Sequence, residues 1–589
     1  MTQTRPGYSH GKYYSDVLVD VLRELDIEYA AFNPGATFRG LHDSIVNHGG
    51  NKNPEVIFCC DEEFSVDIAS GYAKVTGKPM AAIVHNMVGL LHATMAIFNA
   101  WVDRTPVLVL GSAGPLDVER RRHWIDWIHS SVDQGSVVRD YVKWDEQTTS
   151  LTGAIDSLLR GYQIADISPK GPVYLSFDTG RQEDEVAEPI AIPDVSRYGA
   201  PAPVQGNSEA LQKVAELLVE AERPIVLADY LSREPGAVDA LIELAELLSL
   251  PVIDCGNMFS FPNTNSLDLK GAEKELLSQA DLVLSVNVFD LSQALSAFSK
   301  EAGAAPIREE SMIIDISLRH FPIRAWVHDF GKLPPIDIPI SADPYLALSG
   351  LTKLCRERLT QKPGRINRYK ERFTQLKAKH DELRAHWQFQ AEKARDEKPI
   401  AVSWLHRELG EVIKDEDWVL THEGLSSWAR NLWTWEKPYQ YAGSKMGAGL
   451  GFGLGISVGA ALACRPLNRL CVDIQPDGDF LFNSSGLWTA AHHQIPLLII
   501  MYNNRTYYNS ESHQKMVAKA RGRPLENTAI GTRIEAPFID YAGMARSFGV
   551  HGEGPIEDPQ ELRPALERAI KYLKDNKRPV LLDVVTQAR

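Results

Sequence analysis

Cysteine is scarce: the 589 residues contain six, Cys59, Cys60, Cys255, Cys355, Cys464 and Cys471. None forms a C-x-x-C pair and most sit in apolar surroundings. That argues against a zinc or disulfide framework and predicts reduced core thiols in a cytoplasmic protein. Positive charge is also short. There are 62 Lys+Arg against 77 Asp+Glu, a formal net charge of −15, so neither nucleic acid nor an anionic membrane is expected as a partner. No apolar run approaches the roughly 20 residues of a membrane span. The N-terminal "MTQTRPGYSHGKYY" has no apolar core of a secretory signal.

What is present is alternation. From about residue 15 to 189, short apolar runs ("VIFCC", "MAAIVH", "TPVLVLGS", "GPVYLSFD") alternate with helical patterns, as in a parallel sheet flanked by helices. The Pro- and Gly-rich "VAEPIAIPDVSRYGAPAPVQG" reads as a linker. The alternation repeats over about 205–355 ("PIVLADYL", "PVIDCG", "ADLVLSVN", "SMIIDIS") and again over about 400–589. Between the last two lies a stretch of mixed charge sign, which reads as a solvated connecting helix. The expected organisation is α/β throughout: 1–190, a Rossmann-like middle domain at 191–360, a charged helical connector at 361–399, and 400–589.

Within the last block, "LCVDIQPDGD" and "LLIIMYNN" are strand candidates that end on Asp477-Gly478-Asp479 and on Asn503-Asn504. Ligands of parallel sheets sit beyond the carboxyl ends of the strands. If "FNSSGLWTAAHH" is a crossover helix, Asp477 and Asn504 stand at one sheet edge. A carboxylate and an amide oxygen are hard ligands suited to Mg²⁺ carrying a phosphate-bearing ligand, and Gly478 would let backbone approach an anion. Asp-Gly and Asn-Asn are also ordinary turn formers.

The spacing, 504 − 477 = 27, resembles the thiamine diphosphate fingerprint, in which G-D-G is followed after a crossover by N-N. The resemblance is to the acetolactate synthase and benzoylformate decarboxylase group, and it covers nearly the whole chain. It implies that Asp477, Asn504 and the Thr506 carbonyl bind Mg²⁺, with Gly478 and Asp479 in the same fingerprint. It also implies the thiamine diphosphate-binding fold in the first and third domains, for pyrimidine and diphosphate respectively. The first glycine of the fingerprint is replaced by Pro476, which removes an N–H. In "GSKMGAGLGFGLGISVGAA", Leu450 matches the apolar residue that buttresses the bent cofactor, and Ala448 the position whose carbonyl receives the aminopyrimidine. In "THEGLSSWA", Ser426 and Ser427 match hydroxyl donors to the diphosphate.

The same resemblance assigns the activating acid. In "VIFCCDEEFSVDIASGYAKVTGKP", alignment on Gly71-Tyr72-Ala73 selects Glu62 over Asp61 and Glu63; acids also favour helix N-termini for purely electrostatic reasons. "AAIVHNMVGLLHATMAIFNAW", "FNPGATFRG" and "VDQGSVVRDYVKW" look most like benzoylformate decarboxylase. They place His85 as a proton-transfer group, although a lone histidine is more often packing. Ala36 replaces that enzyme's serine, and its middle-domain histidine has no counterpart. Glu511 and His513, after the paired asparagines, are candidates to supply the missing proton, or members of a polar surface loop. His492 and His493 are expected to be exposed at a helix end.

The implied activity is cleavage of a C–C bond next to a carbonyl. It would be decarboxylation of a small-molecule 2-oxo acid through an enamine, with or without carboligation. The implied assembly is a homodimer or homotetramer with its sites at the subunit interface. Alternatives are an acetolactate synthase-type carboligase, a thiamine-dependent acyl-CoA lyase, and a non-catalytic cofactor-binding paralogue. "PIVLADYLSREPG" lacks a Gly-rich turn, so FAD is not expected in the middle domain.

Overall fold

The computed structural model describes residues 7–123, 125–296, 307–308, 310–319, 333–424, 427–443 and 449–588. Three parallel sheets organise the chain. The first holds six strands in the spatial order Glu55–Phe58, Tyr29–Phe32, Met80–Ile83, Val107–Ala113, Val173–Asp178, Trp144–Thr148. The second holds five: Val252–Asp254, Pro224–Ala228, Leu282–Val286, Met312–Ser317, Ile338–Ser341. The third also holds five: Trp418–Glu423, Leu470–Pro476, Leu498–Asn503, Val580–Val585, His551–Ile556. The central strands of each are buried along their whole length, for example LCVDIQ and LIIMYN. This is why they read as continuous apolar runs rather than alternating ones.

Two segments differ from their sequence reading. The linker contains a strand, Ile190–Ile192, which pairs antiparallel with Gly7–Ser9 and ties the N-terminal segment down. The mixed-charge stretch forms the helix Arg365–Lys393, which is more anchored than a solvated connector. It buries Tyr369, Leu376, His380 and Ala391. Tyr369 Oη donates to the Val219 carbonyl at 2.9 Å and His380 Nδ1 to the Asp268 carbonyl at 2.8 Å, while Arg384 reaches the Asn431 carbonyl at 2.9 Å. The helix therefore braces the second sheet's domain against the third's.

The first and third sheets are joined through two helices, Glu62–Thr76 and Phe452–Cys464. A Cβ added to Gly71 would lie 2.0 Å from the Ile456 carbonyl oxygen, and one added to Gly459 would lie 2.0 Å from the Ile68 carbonyl oxygen. The two backbones touch, and only glycine permits that at these two positions. No helix among the described residues is long and apolar enough to cross a membrane.

Candidate active site

Glu62 opens a helix. Asp61 is its N-cap, extended at φ −154° and ψ 148°, and its carboxylate accepts the N–H of Glu63 at 2.8 Å. The helix ends on Gly77 in the left-handed region, φ 72°. Asp61 is thus spent on capping, while Glu62 is buried with 7% exposure. His85 follows the strand Met80–Ile83, just before the helix Met87–Val102. A Cβ added to Gly89, on the first turn of that helix, would lie 2.6 Å from His85 Cβ and 2.9 Å from Glu62 Oε1. Glu62 and His85 therefore share the space above one helical turn.

His85 Nδ1 lies 2.5 Å from Asn86 Oδ1 and 3.3 Å from Thr37 Oγ1. The amide oxygen accepts the Nδ1 proton, which leaves Nε2 as the nitrogen able to take one up. Burial lowers the His85 pKa below its ordinary value; the Asn86 contact opposes that, and His129 and Arg122 add to it. Two neighbours were not singled out in the sequence. The His129 ring stands edge-on to His85, with centroids 5.2 Å apart. His92 Nδ1 lies 3.6 Å from Glu62 Oε2 and 3.8 Å from Asp61 Oδ2. Both come from folding alone; only the helical offset of His92 from Gly89 could have flagged it.

In the third sheet, Leu470–Pro476 and Leu498–Asn503 are parallel neighbours with Pro476 opposite Tyr502. Asp477 and Asn504 therefore stand at one carboxyl edge, with Gly486–His492 as the crossover helix between. Asp477 is 1% exposed. Its oxygens accept the N–H groups of Gly478 at 2.8 Å and Arg505 at 2.7 Å. Asn504 Oδ1 accepts the Thr506 N–H at 3.0 Å. A Cβ added to Gly478 would lie 2.6 Å from the Tyr507 ring, whose hydroxyl donates to the Gly478 carbonyl at 3.2 Å. Asp479 faces inward. It accepts the Gly451 N–H at 2.7 Å and Gln475 Nε2 at 2.6 Å, fixing the entry to the helix Phe452–Cys464, whose N-cap Gly451 has φ 103°.

Leu450 is 46% exposed at that entry. Ser427 is exposed, just before the helix Trp428–Leu432. Ser426 and Ala448 lie outside the described residues. His513 is exposed on the helix Tyr508–Ala520, whereas Glu511 on the same helix is buried in an ion cluster. His493 is not exposed as expected: it is half-buried and accepts the Phe58 N–H at Nε2, 2.8 Å away. His492 is exposed, stacked on Trp488 at 4.7 Å.

Two family descriptions match this chain: "Thiamine pyrophosphate enzyme, N-terminal TPP binding domain" over residues 13–136, and the corresponding C-terminal TPP binding domain over 424–584. The chain belongs to the thiamine diphosphate-dependent enzymes. Acetolactate synthase of Bacillus subtilis is 22% identical over 583 residues, covering 97% of this chain and 92% of the relative. Benzoylformate decarboxylase of Pseudomonas aeruginosa is 25% identical over 577 residues, covering 93% and 96%. A crystal structure of benzoylformate decarboxylase from Polynucleobacter necessarius shares the fold with TM-score 0.77 at 18% identity, covering 98% of this chain and 99% of that one.

The residues of this thiamine diphosphate-dependent enzyme fit a divalent cation. Burial pushes the Asp477 carboxyl up to about 7, against the backbone hydrogen bonds it accepts, and no cationic side chain pairs with it among the described residues. A buried carboxylate of this kind, beside an amide oxygen and a main-chain carbonyl, is a donor set for a hard ion. Close by, His422 is 4% exposed, and among the described residues neither of its ring nitrogens nor Gln475 Oε1 has a hydrogen-bond partner. A Cβ added to Gly453 would lie 2.5 Å from Gln475 Oε1 and 2.8 Å from His422 Cδ2.

Proposed function

We propose that the enzyme cleaves the C–C bond next to the carbonyl of a small-molecule 2-oxo acid with loss of CO₂, using Mg²⁺ held by Asp477, Asn504 and the Thr506 carbonyl. The observation that carries this reading is the pairing of Glu62 with His85 above Gly89, each at the carboxyl end of a strand of the first sheet. Thiamine diphosphate supplies the electron sink for the bond that breaks. The chain supplies orientation and proton handling. Glu62, buried at the helix start, would hydrogen-bond a ring nitrogen of the cofactor and share a proton with it. His85, with Nδ1 tied to Asn86 and its pKa lowered by burial, would offer an unprotonated Nε2 that can accept a proton at the reacting centre.

Leu450 would support the bent cofactor, Ala448 would accept from its amine, and Ser426, Ser427, Gly478 and Asp479 would surround the diphosphate. We take residues 1–190 as the pyrimidine-binding unit and 400–589 as the diphosphate-binding unit. The units at 191–360 and 361–399 serve as the Rossmann-like middle domain and its brace. A cytoplasmic homodimer or homotetramer, with sites at the subunit interface, fits the exposure of Leu450 in the single chain. The resemblance to acetolactate synthase keeps carboligation as the second reading.

The test is a panel of aliphatic and aromatic 2-oxo acids with thiamine diphosphate and Mg²⁺, following CO₂ and product. A free aldehyde supports the decarboxylase and an acyloin the carboligase. Cofactor-loaded protein that releases no CO₂ from any member refutes both.

A further inference from the structure

We propose that Arg533 is a positioning residue for the metal loop: with Glu511 it clamps Thr506, so that the Thr506 carbonyl is held beside Asp477 and Asn504. The proposal rests on the reading of these three residues as the cation's ligands.

The loop needs holding. Arg505 lies in the left-handed region at φ 58°, which is unfavourable for a residue with a long side chain. Its own guanidinium is committed elsewhere, to Glu557 at 2.9 Å and over the Phe538 ring. The segment around Arg533 supplies the hold. It runs antiparallel to the loop: Tyr507 N–H donates to the Thr532 carbonyl at 2.9 Å and Ile534 N–H to the Arg505 carbonyl at 2.8 Å.

Side chains reinforce this backbone pairing. Thr506 Oγ1 lies 2.9 Å from Glu511 Oε2 and 3.2 Å from the Thr532 carbonyl, so its hydroxyl proton has acceptors on both sides. Glu511 is 1% exposed. Arg533 meets it in a fork, Nε to Oε2 at 3.0 Å and Nη2 to Oε1 at 3.0 Å, with Lys515 Nζ at 2.6 Å from Oε1. The fork fixes the direction of the carboxylate as well as its charge.

Each of these partners of Glu511 belongs to its own loop, helix or clamping segment. Its carboxylate is thus engaged in holding Thr506. Arg533, 38% exposed along its side chain, closes the arrangement from the solvent side. Removing a group that orients a metal ligand typically weakens metal binding by about 10–100-fold.

The experiment uses the full-length protein stripped by chelator. Mg²⁺ is titrated at fixed thiamine diphosphate, with tryptophan fluorescence reporting cofactor uptake. Arg533→Met is expected to raise the Mg²⁺ needed for half-saturation by about 10–100-fold while leaving the thermal midpoint of the metal-free protein in place. Arg533→Lys, which keeps the charge and loses the fork, should recover part of the loss. Glu511→Gln should shift the Mg²⁺ requirement in the same direction, and it serves if Arg533→Met fails to fold. Asp477→Ala separates the two layers of argument. If Asp477→Ala loses Mg²⁺-dependent uptake while Arg533→Met and Glu511→Gln keep the parental requirement, the clamp is overturned and the metal site stands. If Asp477→Ala also keeps it, the metal reading fails and takes the clamp with it.

Discussion

His493 gives the seam between the first and third sheets a dependence on pH whose size follows from the structure. Its Nε2 accepts the N–H of Phe58, on the edge strand Glu55–Phe58, while Thr489 Oγ1 donates to the Phe58 carbonyl at 3.1 Å. A ring nitrogen can accept that N–H only while it is unprotonated. Burial, with His492 and Arg465 adding to it, pushes the His493 pKa down from its ordinary 6.5 to about 4. In the unfolded chain the ring takes up a proton near its ordinary value; in the folded protein it does not until about 4. Between those limits the unfolded state binds more protons, so stability falls as pH falls. The full gap is worth about 3 kcal/mol at 1.36 kcal/mol per unit, and about 2 kcal/mol of it is gone at pH 5. His493→Gln offers an amide oxygen to Phe58 and does not titrate. Chemical denaturation of parent and variant at pH 8 and pH 5 is the assay. The parent should lose about 2 kcal/mol more than the variant over that range. Equal losses would refute the assignment of this acid sensitivity to His493.

Glu62→Gln should leave the fold and cofactor binding in place but slow exchange of the cofactor's C2 proton, read by NMR of quenched samples, by about 10²–10⁴-fold. An ordinary exchange rate in that variant would show that another acid does the work. His85→Ala should reduce turnover on a similar scale with little change in cofactor affinity. Because burial lowers its pKa, the acid limb of the parental pH–rate profile should lie below the ordinary histidine value of 6.5; a limb at or above that value would contradict the assignment. Gly459→Val would drive side-chain carbons into the Ile68 carbonyl. It should destabilise the protein by at least about 1–3 kcal/mol in thermal or urea unfolding, and a neutral effect would mean that the two helices can slide apart.

The sequence exposed those parts of the site that obey local rules. Asp477 and Asn504 each follow an apolar run, and the crossover between them is short, so their meeting at one sheet edge could be read from the order of residues alone. The three α/β units were visible for the same reason, as short buried, mostly apolar strands alternating with helical patterns. Contacts between distant segments were hidden. His493 and Phe58 are 435 positions apart, and a histidine at a helix end carries no mark of the backbone N–H it will accept. The histidines around Glu62 and His85 come from a helix face and a loop that only folding assembles. Glu511 shows the limit most clearly. Its distance from Asn504 suggested chemistry, but its contacts with Arg533, from a separate segment, carried no mark in the sequence. The linker strand Ile190–Ile192 escaped because three residues between prolines are too few to show alternation.

The contact of Gly71 with the Ile456 carbonyl and of Gly459 with the Ile68 carbonyl has a consequence for the chain as a piece of covalent architecture. The helix that begins on Glu62 is seated directly on the helix that follows the glycine-rich entry, backbone on backbone. Peptide continuity through the 375 residues between Thr76 and Phe452 is then not what keeps the two cofactor-binding halves in register. A protease nick in the connecting region should leave two pieces that purify together, and halves produced from separate genes should find one another and rebuild a single working body.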